Sequence, residues 1–585
     1  MKRKQTGGRN LFMKKMLAWL GIGFLAVPLF AAPKAADLTL REQVGQTVMP
    51  RVLVGQHKAF KKAVKNGEVT GFFIKTKEGL LHTPKITSAN QKKYIAKQRK
   101  ALKKTIADLQ KWASKSRHKI PLLLSLDYEG GTVTSPMFLG LKQMPSNMLL
   151  AAGGSEKIVE DMYAAQALEM KLVGTEMALG PVTDVNSNPK NPIIQTRSFG
   201  DNAQEAGRFA AAAVRALEQN GVAAVNKHFP GHGDTSSDSH YEQPVTDLPK
   251  DELWQKHISA FMPSVQAGVS GVLSAHVVYP ELDKNNPASF SPTILKGLLR
   301  QEMGYNGVIV TDGLDMGAVS DQSVEEIVRR SYKAGNNMLL LSGDVRDIKT
   351  AKKYPRRAAD YVEKTVREVE AGKLSAAENV TRQEIEISAE KILALKEKFG
   401  LFNSAKEPVL ETGFETASRA AAEAGVTVVR SADNALPLTD KEKEICAVFF
   451  ADGIFSLQLE AFTDYLSARG KKARLVHASV APTKQDRTKA GECMPGAHVV
   501  VVGTSYTSRL NEDQQRLAEE IRVSAEKAGK KYVQISLLNP YEIPLYPHTQ
   551  TMLAVYGPTE YAMETSAKIL LGDVQAKGKL PVSLD

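Results

Sequence analysis

Residues 222–240 read VAAVNKHFPGHGDTSSDSH, and this stretch combines an apolar run with a polar loop. It begins with a short, nearly continuous apolar run, which is typical of a strand buried on both faces of a parallel sheet. The run ends at Lys227 and His228, and a loop rich in Gly, Pro, His and Asp follows. A buried strand that ends in ionisable residues predicts a functional pocket at the carboxyl edge of a parallel sheet.

The same pattern recurs along the first two thirds of the chain, where apolar runs alternate with helical stretches. Parallel strands that alternate with helices over about 350 residues favour a (β/α)8 barrel. Seven runs are strand candidates: 69–76, 121–126, 178–185, 222–227, 271–278, 307–311 and 337–341. We therefore expect one further strand that the pattern does not mark.

Later runs predict a second, smaller α/β domain with an open sheet covered on both faces. These runs are 425–430, 445–450, 498–503, 532–537 and 552–556. The predicted fold class is thus α/β, a TIM-type barrel followed by a smaller α/β/α sandwich. We place the boundaries at a signal peptide over 1–31, a barrel over 38–398, a linker over 399–412 and the second domain over 413–585.

The first 31 residues carry six Lys or Arg, then an apolar run at 16–30, then the small residues Ala31 and Ala32. This order is that of a secretory signal peptide, and the run falls short of the about 20 residues that a membrane span needs. Removing residues 1–31 lowers the net charge from +13 to +7, because the segment holds no acidic residue. We expect an exported protein, periplasmic or extracellular, with an uncleaved anchor as the alternative.

The composition, 43% hydrophobic and 24% charged, is that of a water-soluble globular protein. It excludes disordered, collagen-like and disulfide-scaffold proteins. Cys446 and Cys493 are the only cysteines. In an exported protein they could form one disulfide, which their spacing neither supports nor excludes.

The segment 92–119 holds eleven Lys or Arg and one acidic residue, Asp108. Ile95, Leu102, Ile106 and Leu109 recur at helical spacing, which predicts an amphipathic barrel helix with a solvated basic face. The alternative is a face that attracts an anionic envelope polymer or lipid head groups. Nucleic acid is not expected as a partner, because the chain lacks a binding motif and is predicted to be exported.

Polar residues follow several of the predicted strands. The carboxyl ends of barrel strands form one face, where active sites lie, so these residues are expected to surround one pocket. They are Asp127, Asp184, Lys227, His228, His276 and Asp312.

The loop over 227–240 also holds a candidate acid/base pair, Asp238 and His240. A tight turn would let the carboxylate accept a hydrogen bond from one imidazole nitrogen and leave the other to exchange protons with a substrate. One alternative is a polar surface loop with incidental histidines. Another is a zinc site made of His232, Asp234 and His240, whose spacing matches no standard ligand pattern.

Asp312 in the motif VTDGLDMGA, at 310–318, is the candidate partner of this pair. An aspartate at the carboxyl end of a barrel strand can point into the mouth of the barrel and attack an electrophilic carbon. Asp315, three residues on, is expected to cap a following helix.

Four motifs in chain order resemble glycoside hydrolase family 3, in its β-N-acetylglucosaminidase branch. They are SLDYEGGTVT at 125–134, DVNSNPKNPIIQTRSFG at 184–200, KHFPGHGDTSSDSH at 227–240 and VTDGLDMGA at 310–318. The third is the most specific of the four. NALPL at 434–438 and LPVSL at 580–584 extend the resemblance more loosely over the second domain.

The resemblance implies a two-step retaining mechanism that needs neither a cofactor nor a metal. Asp312 would attack the anomeric carbon, and His240, paired with Asp238, would protonate the leaving oxygen and later activate water. The family positions that hold the sugar hydroxyls are matched by Asp127, Arg197, Lys227 and His228.

Three positions depart from commoner members of the resembling family. Thr132 stands where many have Arg, Gln195 where glycine is frequent, and Asn337 where aspartate is usual. None of them belongs to the predicted catalytic set, so catalytic activity is still expected. What the three departures put in question is the acceptor-side preference.

We therefore expect an exo-acting β-N-acetylglucosaminidase that removes terminal N-acetylglucosamine from peptidoglycan fragments or chitin-type oligosaccharides. One alternative is a β-glucosidase or β-xylosidase of the same family. A second is an N-acetylglucosaminide phosphorylase, because a histidine acid tolerates an incoming phosphate anion better than a carboxylate does. A third is a non-catalytic envelope protein that keeps the fold.

Overall fold

The computed structural model describes residues 32–77, 86–133, 135–319, 321–343, 347–403, 413–433, 435–507 and 511–584. The signal peptide predicted over 1–31 lies outside the described residues, as do residues 404–412 of the predicted linker. Among the residues that the structure describes, no helix has the length and apolar content needed to span a bilayer.

The first sheet is a curled row of parallel strands. In chain order the strands are β1 (Arg51–Leu53), β2 (Gly71–Lys75), β3 (Leu123–Leu126), β4 (Met177–Ala178), β5 (Ala223–Phe229), β6 (Gly271–Ser274), β7 (Val278–Tyr279), β8 (Asp283–Pro287) and β9 (Val308–Thr311). β7 and β8 form a separate antiparallel pair. The other seven strands pair in chain order, all in parallel.

Two single bridges close this row into a barrel. Met338 pairs in parallel with Val310 of β9, and Leu339 pairs in parallel with Val48, just before β1. Residues 338–339 therefore take the eighth strand position. All seven predicted runs contribute to the barrel, and the further strand that we expected is β1.

Helices follow the strands and surround the barrel. They are Leu40–Thr47, Lys61–Lys65, Ser88–Ala113, Ser135–Phe138, Asn147–Ala152, Glu156–Val173, Ala203–Gln219, Lys250–Lys256, Met262–Gln266, the π-helix Thr293–Glu302, Val324–Ala334, Ile348–Ala351, Tyr354–Glu370 and Arg382–Lys398. The helix Ser88–Ala113 buries Leu102, Ile106 and Leu109 and exposes all of its lysines. The amphipathic helix predicted there is confirmed.

The barrel interior is packed with apolar side chains and is not a pore. One buried cluster contains Phe73, Leu123, Met177, Val225, Leu273 and Val310 from the strands. Ile392 and Leu395 of the helix Arg382–Lys398 join this cluster. The helix thus covers one end of the barrel, and the carboxyl ends of the strands are left for polar residues.

The second sheet has six strands. They are β10 (Thr427–Arg430), β11 (Glu444–Phe450), β12 (Lys472–Ala478), β13 (Val499–Thr504), β14 (Lys531–Ser536) and β15 (Met552–Ala554). Their spatial order is β10, β15, β14, β13, β11, β12, with β10 antiparallel to β15 and the remaining neighbours parallel. Because the chain order reverses at β11, right-handed crossovers place helices on both faces.

The helices of this second domain are Phe414–Gly425, Ser456–Ala468, Lys484–Cys493, Glu512–Lys527 and Glu560–Leu571. β12 was not predicted, because exposed residues alternate with partly or fully buried ones along it and give no apolar run. Cys446 on β11 and Cys493 form a disulfide, which the sequence alone left open.

Candidate active site

A cavity of about 400 Å³ opens at the carboxyl ends of the barrel strands. Six of the seven predicted site residues line it: Asp127, Arg197, Lys227, His228, His240 and Asp312. The seventh, Asp238, contacts His240. Apolar side chains complete the wall, among them Phe73, Leu179, Ile193, Leu273, Met316 and Leu340.

Asp312 stands directly after β9. Its backbone N–H donates to Ser274 O at 3.1 Å, and its Oδ1 accepts the N–H of Gly313 at 2.7 Å. Burial alone would raise the pKa of this carboxyl, but the imidazoles of His228 and His276 and the Gly313 N–H outweigh burial and lower it. Asp312 is therefore ionised at neutral pH, the state that a nucleophilic carboxylate needs.

Asp238 and His240 are in direct contact at the rim of the cavity. Asp238 Oδ1 accepts the backbone N–H of His240 at 2.9 Å and lies 2.7 Å from His240 Nδ1. Burial would raise the pKa of Asp238, but the hydrogen bonds from His240 outweigh it and keep this carboxylate ionised. Since Nδ1 is held by the carboxylate, Nε2 is the ring nitrogen available to a ligand. The His240 side chain is 54% exposed, so a bound molecule can reach it.

The loop that carries this pair is tied to the segment that follows Asp312. The N–H of Gly317 donates to His240 O at 3.1 Å, and the N–H of Ala318 donates to Ser239 O at 3.3 Å. These main-chain bonds join the two segments from which the candidate nucleophile and the candidate acid project. The structure thus brings together residues that are far apart in the sequence.

His232, early in this loop, contacts two hydroxyl groups of the same loop. Its Nδ1 lies 2.9 Å from Thr235 Oγ1, and its Nε2 lies 3.1 Å from Ser239 Oγ. Burial lowers the pKa of His232 to about 4, so the ring is neutral and bonds both hydroxyls. Both ring nitrogens are occupied, which argues against zinc on His232, Asp234 and His240. In the described part of the chain, no group of three or more His, Cys, Asp or Glu is arranged to hold a metal.

One side of the cavity is a chain of five alternating charges: Lys75, Asp127, Lys227, Glu129 and Arg197. Asp127 accepts Lys75 Nζ at 2.6 Å on Oδ2 and Lys227 Nζ at 2.8 Å on Oδ1. Glu129 Oε1 lies 2.6 Å from Lys227 Nζ, and its Oε2 accepts Arg197 Nε at 2.7 Å. Each carboxylate therefore lies between two cations.

These cations keep both carboxylates ionised in spite of burial. Burial would raise the pKa of Glu129, but Arg197 and Lys227 lower it to about 2. Lys227 and Lys75 likewise hold the pKa of Asp127 well below its usual range. A carboxylate offers about four lone-pair sites, so each can still accept hydroxyl groups while the ammonium and guanidinium groups donate. This side of the cavity is suited to a polyhydroxylated ligand.

Asp184 is fully buried and orients His228. Its Oδ2 accepts the backbone N–H of His228 at 3.0 Å and lies 2.6 Å from His228 Nδ1, while its Oδ1 accepts the N–H of His232 at 2.6 Å. Burial would raise the pKa of Asp184, but the two histidines lower it to about 2. Nε2 of His228 is thereby left for a ligand.

Residues 39–395 match the family model described as the N-terminal domain of glycosyl hydrolase family 3. The chain belongs to glycosyl hydrolase family 3. Membership of family 3 makes it a glycoside hydrolase, in agreement with the ionised carboxylate and the imidazole of one polar cavity.

Similar proteins extend this result over both domains. The chain is 29% identical over 533 residues to beta-hexosaminidase A of Pseudoalteromonas piscicida, covering 82% of this chain and 86% of that protein. It is 26% identical over 517 residues to a beta-N-acetylglucosaminidase/beta-glucosidase of Cellulomonas fimi, covering 82% and 85%. The solved structure of a family 3 beta-N-acetylglucosaminidase from a Paenibacillus species aligns with a TM-score of 0.79 at 28% identity, covering 94% of this chain and 99% of that one. The barrel followed by a second domain is therefore the architecture of this family 3 hydrolase.

The three departures from commoner family 3 sequences fall in two places. Thr132 and Gln195 line the cavity, and Gln195 has a left-handed backbone with φ of 46°, a conformation that glycine adopts without strain. Asn337 does not line the cavity. Its Oδ1 accepts Arg300 Nη2 at 2.7 Å and the N–H of Ile309 at 3.0 Å, so it joins barrel elements.

Arg51, Lys75 and Glu129 line the cavity of the family 3 hydrolase, and none of the three was predicted from the sequence. Glu129 follows Asp127 by two residues, and an extended backbone places such a pair on the same side. Arg51 begins β1 and Lys75 ends β2. A strand of three residues gives too little pattern to be recognised, so Arg51 carried no usable signal.

The prediction that Asp315 caps a helix is wrong. Asp315 Oδ2 lies 3.1 Å from Arg51 Nη1, and both side chains are largely buried. The next helix, Val324–Ala334, has Ser323 as its N-cap. Burial raises the pKa of Asp315, and the Arg51 guanidinium opposes this effect.

The second domain of the family 3 hydrolase reaches the cavity. Thr507, which follows β13, is one of the lining residues. The Tyr541 hydroxyl accepts Asn186 Nδ2 at 3.0 Å and donates to Asn186 O at 3.3 Å. Asn186 Oδ1 in turn accepts the N–H of Gln195 at 2.8 Å. The second domain thus holds the segment that presents Gln195 and Arg197 to the cavity.

Proposed function

We propose that this chain is a retaining exo-β-N-acetylglucosaminidase with Asp312 as nucleophile and His240 as acid and base. The observation that carries the proposal is the pairing of groups in one cavity. Asp312 is kept ionised, and His240 Nδ1 is held 2.7 Å from Asp238 Oδ1 with Nε2 available. A glycosidase needs these two functions on either side of one anomeric carbon.

In the first step, an Asp312 carboxylate oxygen forms a bond to the anomeric carbon. The glycosidic bond breaks, and its electron pair stays on the leaving oxygen, which takes a proton from His240 Nε2. In the second step, a water molecule gives a proton to Nε2 as its oxygen attacks the anomeric carbon. The ester bond breaks and restores the Asp312 carboxylate, so configuration is retained over two inversions.

Asp238 assists both steps by stabilising the imidazolium form of His240. Asp127, Arg197, Lys227 and His228 hold the hydroxyl groups of the terminal sugar, with Glu129 and Asp184 as their buried counter-charges. A cavity of about 400 Å³ is small among ligand sites, and it suits one terminal sugar.

The names of the similar proteins support N-acetylglucosamine as the sugar, since two of them are called beta-hexosaminidase A and beta-N-acetylglucosaminidase. The relative from Cellulomonas fimi is named for both beta-N-acetylglucosaminidase and beta-glucosidase. A β-glucosidase activity is therefore the second candidate.

We propose peptidoglycan fragments or chitin-type oligosaccharides as the substrates and export as the location. The predicted signal peptide supports export. The Cys446–Cys493 disulfide supports it too, because disulfides persist mainly in oxidising compartments.

The test compares aryl β-N-acetylglucosaminide with the matched aryl β-glucoside, with and without inorganic phosphate, and uses Asp312→Ala as control. We expect release of the aryl group from the N-acetylated substrate, loss of release in Asp312→Ala, and free sugar as the product. Preference for the glucoside would favour the second candidate. A sugar 1-phosphate product in the presence of phosphate would show that the enzyme is a phosphorylase and not a hydrolase.

A further inference from the structure

The outer surface of the helix Ser88–Ala113 carries a row of lysines that the proposed reaction does not use. At 100° per residue, five of them fall within about 60° of one another around the helix axis. With a rise of 1.5 Å per residue, they extend over about 27 Å. We call this row the lysine stripe; it consists of Lys93, Lys97, Lys100, Lys104 and Lys111, all exposed.

Acidic groups do not neutralise the lysine stripe. Asp108 is the only acidic residue in 86–119, and its Oδ2 is shared by His57 Nε2 at 3.2 Å and Lys104 Nζ at 3.3 Å. The other four lysines form no ion pair with the acidic residues that the structure describes. The stripe therefore presents an open positive surface.

A second group of lysines widens this surface. The short helix Lys61–Lys65 lies beside the long one, with Lys61 Nζ 5.7 Å from the centre of the Trp112 ring. The exposed lysines here are Lys58, Lys61, Lys62 and Lys65. The only acidic residue close by in the sequence, Glu68, is buried and accepts Asn66 Nδ2.

Helix stability does not explain the lysine stripe. The fold needs only the opposite face, where Leu102, Ile106 and Leu109 are buried. Lys93 and Lys97 are four residues apart, and like charges at this spacing disfavour the helix. Glutamate in place of every second lysine of the stripe would stabilise the same helix through pairs of opposite charge about one turn apart. A helix surface with both lysine and glutamate would therefore be more stable than one that carries the lysine stripe.

The shape of the stripe indicates what it binds. A compact anion needs converging donors in a pocket, whereas these cations form an open line. A membrane surface is favoured by apolar side chains next to the cations, but the exposed large apolar residues described, Tyr241, Val245, Leu374 and Ile387, lie outside 57–119. We propose that the lysine stripe binds a linear anionic polymer with repeated carboxylate or phosphate groups.

The position of the stripe gives this binding a consequence. The helix Ser88–Ala113 follows β2, whose last residue, Lys75, lines the cavity. Its first turns therefore lie at the cavity end of the barrel, and a polymer on the stripe runs along the barrel wall towards that end. Binding would hold the protein on an anionic polymer while the cavity stays open.

The test measures binding of the full chain to fluorescent polygalacturonate, to long-chain inorganic polyphosphate and to neutral dextran over a range of salt concentrations. The stripe variant carries Lys93→Gln, Lys97→Gln, Lys100→Gln and Lys111→Gln. The control variant carries Lys352→Gln, Lys353→Gln, Lys364→Gln and Lys373→Gln, four exposed lysines elsewhere on the barrel. Gln has nearly the helix propensity of Lys, and thermal unfolding checks that each variant folds.

We expect the wild type to bind both polyanions and not dextran. The stripe variant should bind at least about tenfold more weakly at low salt, and the slope of log affinity against log salt should fall by about 3. A preference for polygalacturonate or for polyphosphate would assign carboxylate or phosphate as the natural group. Equal binding by the stripe variant and the wild type would overturn the proposal, as would an equal loss in the control variant. Binding to phosphatidylglycerol vesicles without binding to either polymer would also overturn it, in favour of a membrane.

Discussion

Asp238 Oδ1 lies 2.7 Å from His240 Nδ1, and the same oxygen accepts the backbone N–H of His240 at 2.9 Å. One oxygen therefore fixes both the ring and the main chain of the histidine. This geometry sets the tautomer and supplies a negative charge next to the ring. In the proposed mechanism, that charge stabilises His240 each time it carries an additional proton.

The substitution Asp238→Asn should show how much the negative charge of Asp238, as distinct from its size, contributes to catalysis. The side chain keeps its volume and an acceptor oxygen, but the counter-charge for the imidazolium is lost. We expect kcat/KM to fall by about 100-fold on phenyl β-N-acetylglucosaminide, whose leaving group needs a proton. On the 2,4-dinitrophenyl substrate the fall should be less than about fivefold, because that group leaves without protonation. An equal fall of kcat/KM on both substrates would show that Asp238 and His240 do not act as the acid.

Stability should depend on pH through the buried carboxylates. The pKa of Glu129 is about 2 in the folded protein, below its ordinary value of 4.5, so between these values the unfolded chain binds more protons. The contribution of ionised Glu129 to the free energy of unfolding is complete above about pH 4.5 and is lost as the pH falls towards about 2. We expect the free energy of unfolding in urea to fall less steeply in this window for Glu129→Gln than for the wild type. If the free energy of unfolding fell equally steeply with pH in both proteins, the low pKa of Glu129 would be contradicted.

The second domain should affect substrate binding through Tyr541. Removing its hydroxyl in Tyr541→Phe takes away both hydrogen bonds to Asn186 and loosens the segment that carries Gln195. We expect KM for the aryl substrate to rise about threefold to tenfold with little change in kcat. Tyr556→Phe is the control, because the Tyr556 hydroxyl bonds Thr427 inside the second domain. An equal rise of KM in both variants would show a general loss of stability instead.

The barrel could be predicted because its strands are continuous apolar runs. The candidate site residues could be named because polar residues follow those runs. The missed strand, Arg51–Leu53, has three residues. So short a strand gives no periodicity, and Arg51 was missed with it. The error at Asp315 has a related cause, since its partner Arg51 is 264 residues earlier in the chain. A local pattern could suggest a cap, but only the folded barrel brings that guanidinium to the carboxylate.

Lys75 shows the same limit inside the cavity. Its partner Asp127 is 52 residues away and directly follows the neighbouring strand, β3. The sequence marked Asp127 because it follows a run of leucines, whereas the lysine ends a run that reads GFFIK. Register between β2 and β3 brings the two together, and register is a property of the assembled sheet.

The disulfide should contribute to stability mainly by restricting the unfolded chain. Cys446 and Cys493 are 47 residues apart, and for a loop of this length the chain-entropy relation gives about 4 kcal/mol. We expect Cys446→Ala with Cys493→Ala to lower the Tm and the free energy of urea unfolding. A reductant should destabilise the wild type to a similar extent and leave the double variant unchanged. A reductant effect on the double variant would point to another cause.

In the proposed mechanism, Asp312 forms a covalent bond with the sugar while His240 acts as acid and base. The most direct test is mass spectrometry of His240→Ala after reaction with 2,4-dinitrophenyl β-N-acetylglucosaminide. The first step needs no acid with this leaving group, whereas the second step lacks its base, so the glycosyl-enzyme should accumulate. We predict one N-acetylhexosaminyl unit on the peptide that contains Asp312. An adduct on another peptide would show that Asp312 is not the nucleophile, and prompt release of free sugar with no adduct would show that His240 is not the base.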